Sequence, residues 1–251
     1  MRRGWIIFWL AGCVAAGAAD GPGVGGGLPG DTAELRGVRL AQELVGRRPD
    51  EAFRTAGVLR MFDGRGGTTE RRLSMEVAPS LEGWESLYRV EPTGDVDGVL
   101  LRVKHAEGEG NEYWLGDATV GGGERRLEGR PMMGAFAGSD FWIVDLGLEF
   151  LHWPGQRHLR AEMRRSRACH VLESRPSEHV GGYSRVVSWV DVETGGLLRA
   201  EAYDPDGALL KEFTVRKIKK VSGKWHVREM EIRNLRAGTR TRLELDLDPA
   251  K

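Results

Sequence analysis

The chain has 251 residues, 40% of them hydrophobic and 29% charged, which places it among folded globular proteins and outside the disordered and collagen-like classes. Lys plus Arg and Asp plus Glu each number 37, so no net charge draws the molecule as a whole toward nucleic acid or an acidic membrane. Any such contact has to be local.

Arg2 and Arg3, an apolar run from Trp5 to Ala16, and the small residues Ala16-Gly17-Ala18 read as a signal peptide over residues 1–18, with cleavage after Ala18 or Ala19. The run falls short of the roughly twenty residues a membrane-spanning helix needs. Leu10-Ala11-Gly12-Cys13 resembles a lipobox, but acylation there would leave a hydrophobic core of only Trp5 to Gly12. Soluble export to the periplasm is the expectation, with a membrane anchor through Cys13 as the alternative. Cys13 and Cys169 are the two cysteines, and Cys13 is lost or acylated in either case, so the mature chain can form no internal disulfide. Cys169 lies in an apolar alternating stretch and reads as a buried small hydrophobe.

Residues 19–30 form a Gly/Pro-rich linker. Gly25, Gly27 and Gly30 satisfy a G-x-G-x-x-G pattern there, but neither a preceding strand nor a βαβ unit surrounds it, so it is no dinucleotide fingerprint. Asp31 with Glu34 predicts a capped helix from Asp31 to Val45, its stripe of Leu35, Val38 and Leu44 packing on the concave face of a sheet. From residue 53 the pattern turns to short alternating runs with turns every eight to twelve residues, roughly a dozen strands. Ala52–Phe62 and Thr69–Val77 flank a Gly-rich turn; Ser86–Glu91, Gly98–His105, Glu112–Gly116 and Glu124–Leu127 follow. After a break come Leu159–Arg164, Arg167–Glu173, Tyr183–Val192, Leu197–Tyr203, Leu209–Val221, Trp225–Asn234 and Thr239–Leu247.

The break, Met132 to Pro154, is apolar without period two, and Ser139 is placed to cap a helix running from Asp140 toward Leu151. Phe136, Phe141, Trp142, Leu146, Leu148, Phe150, Leu151 and Trp153 are the candidate ligand-binding residues. A lid over a cavity and a plug filling it leave the same sequence trace.

No catalytic residue, metal site or cofactor is expected. The histidines at 105, 152, 158, 170, 179 and 226 form no ligating motif, His152 and His158 being the nearest approach to one, and no nucleophile elbow occurs. Asp204-Pro205-Asp206-Gly207 is a turn rather than a calcium loop. The run with Arg157, Arg160, Arg164, Arg165 and Arg167 reads first as a solvated strand face, second as a rim for lipid phosphates or an acidic partner.

An ordered set of residues between about 130 and 247 resembles the LolA-like outer-membrane lipoprotein-sorting proteins, in their treponemal-lipoprotein-like branch. It comprises Gly138-Ser139-Asp140-Phe141 with Asp145-Leu146, Cys169-His170-Val171-Leu172-Glu173 with Pro176, and Val187-Ser188-Trp189-Val190-Asp191. It continues through Tyr203-Asp204-Pro205-Asp206-Gly207 with Leu210-Lys211, Gly223-Lys224-Trp225, Met230 and Thr239-Arg240-Thr241. The resemblance implies a mainly β fold over residues 31–251: one curved antiparallel sheet, an incomplete barrel or half-barrel, with an N-terminal helix and a short lid or plug. It further implies a non-enzymatic periplasmic carrier in lipoprotein transport, binding a lipid or the acyl chain of a lipoprotein. Trp142-Ile143-Val144 is more apolar than is usual in related sequences, which puts the cargo in question. The competing reading is a plugged β domain serving as a structural or protein-interaction component of the cell envelope. Neither reading involves nucleic acid, and membrane contact is peripheral at most.

Overall fold

The computed structural model describes residues 31–106, 110–118, 123–178, 182–221 and 224–247. The expected signal peptide and linker lie outside them. Helix α1 (Ala33–Val45) starts at Thr32, whose hydroxyl accepts the Leu35 N–H at 3.2 Å, while Asp31 pairs with Arg39 instead of capping. Its buried face is Gly37, Ala41 and Leu44; Leu35 is 52% exposed and Val38 only half-buried, which corrects the expected stripe. The cause is Gly37: a Cβ there would lie 2.5 Å from the backbone nitrogen of Arg157, so the helix presses its glycine side onto a strand backbone. That strand is at the sheet edge, where a helix covers otherwise unpaired backbone groups.

The strands are β1 (Phe53–Phe62), β2 (Thr68–Pro79), β3 (Gly83–Val90), β4 (Val99–Ala106), β5 (Glu112–Gly116) and β6 (Glu124–Leu127). After the insert come β7 (Gly155–Arg164), β8 (Arg167–Arg175), β9 (Arg185–Asp191), β10 (Leu197–Tyr203), β11 (Leu209–Val221), β12 (Lys224–Asn234) and β13 (Thr239–Asp246). They form one antiparallel 13-stranded sheet in the order β6-β5-β4-β3-β2-β1-β13-β12-β11-β10-β9-β8-β7. Edges β6 and β7 do not pair, so the barrel is incomplete, as the mainly β expectation has it. Helix α1 lies on β7 and on the turn at 149–152.

Period-two alternation sorts the two faces of the sheet. On β2 the side chains of Leu73, Met75 and Val77 are buried while Arg72, Ser74 and Glu76 point the other way, and registry with β1 and β3 continues the division. The inner face carries one apolar cluster running from Leu59 and Met75 through Tyr88 and Leu101 to Met230 and Leu243. The outer face carries ion pairs such as Arg102 with Glu124 at 2.9 Å, and a small second cluster of Cys169, Val171, Val187 and Trp189. Cys169 is buried, and that burial raises its thiol to about 11. The turn after β1 closes on Asp63, which accepts N–H groups of Arg65 and Gly67 at 2.8 and 2.7 Å. The segment from Asp204 to Gly207 is likewise a turn, with Asp204 accepting the Ala208 N–H at 2.9 Å.

The insert between β6 and β7 is not the single helix expected from Asp140 to Leu151. It is a chain of short turns, 3-10 at Arg130–Met133, Phe136–Gly138 and Glu149–His152, around one helical turn, α2 (Ile143–Leu146). Ser139 donates its hydroxyl to the Phe136 carbonyl at 2.6 Å instead of capping a long helix. Two positions break the helix: a side chain at Gly147 would meet the Tyr113 hydroxyl at 2.2 Å, and Leu148 adopts the left-handed region at φ 49°.

Candidate site beneath the insert

Six of the eight candidate residues are buried: Phe136, Phe141, Leu146, Leu148, Phe150 and Leu151, at 0 to 7% exposure; Trp142 and Trp153 are half-buried. All eight belong to the inner apolar cluster or pack against it. Phe141, Leu148 and Phe150 line a cavity against Val186, Leu197, Ala200, Ala202, Phe213 and Ile232 of β9 to β12. Phe136 instead meets Tyr88 edge-on at 6.1 Å. The cavity measures about 30 Å³, room for one or two water molecules and far below the several hundred Å³ of a ligand pocket.

Three polar residues outside the eight candidates share the cavity wall: Asp145 and Lys211, which the sequence placed among the family-like residues without a site role, and Tyr183. Lys211 stands on β11 opposite Ala202, a core-facing position, and is 1% exposed. Its ammonium donates to the Asp140 carbonyl at 2.7 Å, lies 3.6 Å from the Asp145 carboxylate and sits 3.7 Å from the centre of the Trp142 ring. Trp142 stacks on Tyr183 at 4.6 Å, and the Tyr183 hydroxyl donates to Asp145 at 2.9 Å. Asp145 in turn accepts the Trp142 N–H at 2.7 Å, locking the single turn of α2. Burial pushes the Lys211 ammonium down to about 8, with Asp145 and Asp140 pulling it back up. A lysine inside an otherwise apolar, inward-facing strand position was the available signal, because a buried ammonium demands partners.

Further ties run from the sheet to the insert. Tyr88 donates to the Leu146 carbonyl at 3.3 Å, Asn111 to the Gly147 carbonyl at 2.9 Å, and Tyr113 to the Glu149 carboxylate at 2.9 Å. Gln156 donates to the carbonyls of Phe150 and Trp153 at 2.9 and 2.8 Å, and Thr239 and Thr241 to the Asp140 carboxylate at 2.5 and 2.8 Å. Burial raises Glu149 above the ordinary carboxylate range even though Asn111 and Tyr113 bond it. Most of these ties satisfy carbonyls left open by turns too short to pair them internally.

His158 does not converge with His152; it meets His170 of β8 at 3.0 Å. Among the described residues no group of three metal-ligating side chains occurs, and no helix is long and apolar enough to cross a membrane. The arginines between 157 and 167 are partly used on the outer face, Arg160 with Glu162 and Arg167 with Asp191.

A family model described as "-like: Uncharacterized protein" matches residues 85–247, and the chain belongs to that family. No curated protein matches it. Among solved structures, a DUF1329 family protein from Desulfovibrio piger is similar at 22% identity and TM-score 0.71, over 86% of this chain and 92% of that one. A putative outer membrane lipoprotein-sorting protein domain from Vibrio parahaemolyticus is similar at 24% identity and TM-score 0.70, over 84% and 90%. A LolA superfamily protein from Nitrosomonas europaea is similar at 17% identity and TM-score 0.59, over 88% and 96%. The fold implied by the resemblance read from residues 130 to 247 is thus shared with these structures.

Proposed function

We propose that the chain is a non-enzymatic binding or carrier protein of the cell envelope, exported to the periplasm, that shelters a lipid or acyl chain beneath a displaceable insert. The observation that carries the reading is the apolar cavity between Phe141, Leu148 and Phe150 of the insert and the inner face of β9 to β12. At about 30 Å³ it is the closed form of a site, and a ligand enters only when the insert moves. The build of the insert supports such movement: short turns, left-handed backbone at Ala137 and Leu148, and polar ties that water can replace. The resemblance to lipoprotein-sorting proteins supports an acylated cargo.

The second reading, a permanently plugged domain that meets another envelope protein through its outer surface, is favoured by the same small volume. Single replacement of the cavity-lining Phe141, Leu148 and Phe150 by Ala, with Trp189→Ala in the packed outer-face cluster as a buried control outside the cavity, separates the two. A cavity-lining side chain forfeits fewer contacts than the roughly 3–5 kcal/mol typical of Phe or Trp in a close-packed core. The carrier reading expects the three variants to lose displacement of a fluorescent fatty acid more than they lose thermal stability. Unfolding as severe as that of Trp189→Ala, with no fatty-acid binding in the parent protein, leaves the plugged domain. Native mass spectrometry of protein purified from its own envelope identifies the cargo.

A further inference from the structure

The hairpin of β11 and β12 outgrows the sheet. The β10 ladder stops at Thr214 and the β13 ladder begins at Glu229, so among the described residues the stretch from Ile218 to Val227 pairs in the sheet only with itself. Residues 213 to 228 contain Arg216, Lys217, Lys219, Lys220, Lys224 and Arg228 and not one Asp or Glu, in a chain with no net charge overall. Arg216, Lys217, Lys220 and Arg228 are exposed. This is unlike the rest of the outer face, where arginines meet glutamates across neighbouring strands; of these exposed cations Lys217 reaches a carboxylate, Glu229 at the root of the arm, at 2.5 Å.

A second basic segment folds onto the same place from far away in sequence. The turn joining β7 to β8 holds Arg164 and Arg165, and the Arg165 guanidinium donates to the Val215 carbonyl at 3.2 Å, immediately before Arg216. Met163, beside this turn, is 68% exposed. Near the end of the arm Trp225 and Val221 pack with their inner sides against the apolar cluster while staying half-exposed, and the Lys220 ammonium lies 5.8 Å over the Trp225 ring. Cations gathered around a tryptophan and a few apolar side chains suit the boundary between anionic headgroups and hydrocarbon, where Trp and Lys settle together. An acidic protein groove would be matched by the charge but would not call for the exposed Met163 and the Trp225–Lys220 pair at the tip.

We propose that the β11–β12 arm and the β7–β8 turn together form a peripheral docking surface for an anionic lipid bilayer. The surface is separate from the cavity beneath the insert and does not depend on that cavity taking a ligand.

The test is flotation of the full chain with vesicles of phosphatidylcholine alone and of equal parts phosphatidylcholine and phosphatidylglycerol, at low and high salt. The parent protein is expected to float with the anionic vesicles at low salt only. Arg216→Glu with Lys220→Glu should lower that binding by about tenfold or more, since each cation near such a surface contributes roughly fivefold. Arg72→Glu, an exposed arginine on β2, changes the net charge at a distance from the arm and should alter binding by less than about twofold. If the double variant fails to fold, Lys220→Gln carries the same test with a loss of about fivefold. Absence of anionic-vesicle binding in the parent, an equal loss in Arg72→Glu, or capture by poly-glutamate but not by vesicles overturns the proposal.

Discussion

The two faces of the sheet solve the same problem with opposite means. On the inner face, polar groups are buried and mostly neutral: Tyr88, Asn111 and Gln156 each meet a carbonyl of the insert, while the buried cations are matched, Arg71 by the Glu91 and Asp97 carbonyls and Lys211 by Asp140, Asp145, Trp142 and Tyr183. On the outer face, charges are many and partly solvated: Arg102 binds Glu124 through two nitrogens at 2.9 Å and Glu85 at 3.1 Å. In water such pairs lose most of their attraction, whereas a buried polar group deprived of its partner keeps the full cost of its desolvation. The inner face is therefore where single substitutions should matter.

Asp145→Ala gives the largest expected effect. It strands the Lys211 ammonium, the Tyr183 hydroxyl and the Trp142 N–H at once, and stability should fall by about 3–5 kcal/mol, as when one partner of a buried pair is removed. A denaturant midpoint within error of the parent would mean that the insert relaxes to let water in and that the inner face is no drier than the outer. The pH dependence sharpens the contrast further. Lys211 has its proton affinity lowered to about 8 by burial against an ordinary 10.5, so over that interval the exposed or unfolded state binds more protons than the closed one. The closed state gains stability as pH rises through the interval and loses it as pH falls toward 8. The Cys169 thiol and the tyrosines at 88, 113 and 183, all raised by burial, act with the opposite sign, Cys169 from about pH 9 and the tyrosines from about 10, which leaves the lowest part of the interval to Lys211. Between pH 8 and 9 thermal midpoints should climb in the parent relative to Lys211→Met, a difference of under about 1.4 kcal/mol per pH unit. The smallest effect belongs to the outer face: Arg102→Ala should cost about 1 kcal/mol or less, and less still in high salt. A loss as large as that of Asp145→Ala would erase the distinction.

The sheet was largely legible because alternation and turn residues fix strands locally: Thr69–Val77 became Thr68–Pro79, and Leu209–Val221 was met to the residue. Three features were not. β7 begins at Gly155, four residues before the expected Leu159, because its first residues are held by the insert, with Gln156 reaching back to Phe150. Helix α1 turned its glycine inward because backbone-to-backbone packing, which hydrophobic spacing does not register, won over the stripe containing Leu35. The insert lost its long helix at Gly147 and Leu148, where the Tyr113 hydroxyl occupies the space a side chain would need. The eight candidate residues all join the inner apolar cluster or pack against it, whereas the Asp145, Tyr183 and Lys211 cluster draws on three distant segments, and nothing local in any one of them announces the other two.

The order of the strands has a consequence for how the chain folds. Of its twelve ladders, eleven join strands consecutive in sequence, and one, β1 with β13, joins the two ends, as in Ala56 opposite Asp246. Two hairpin stacks, β1 to β6 and β7 to β13, can each zip up from local contacts, whereas the seam between them requires a loop of nearly the whole chain to close. The entropic barrier of the fold is concentrated in that single seam. Joining the present termini with a linker and opening the chain within the insert would turn the same sheet into an uninterrupted meander from β7 through β13 and β1 to β6. Such a permutant makes every ladder local and should reach its native sheet faster than the natural chain, at the cost of severing the insert that closes the inner face.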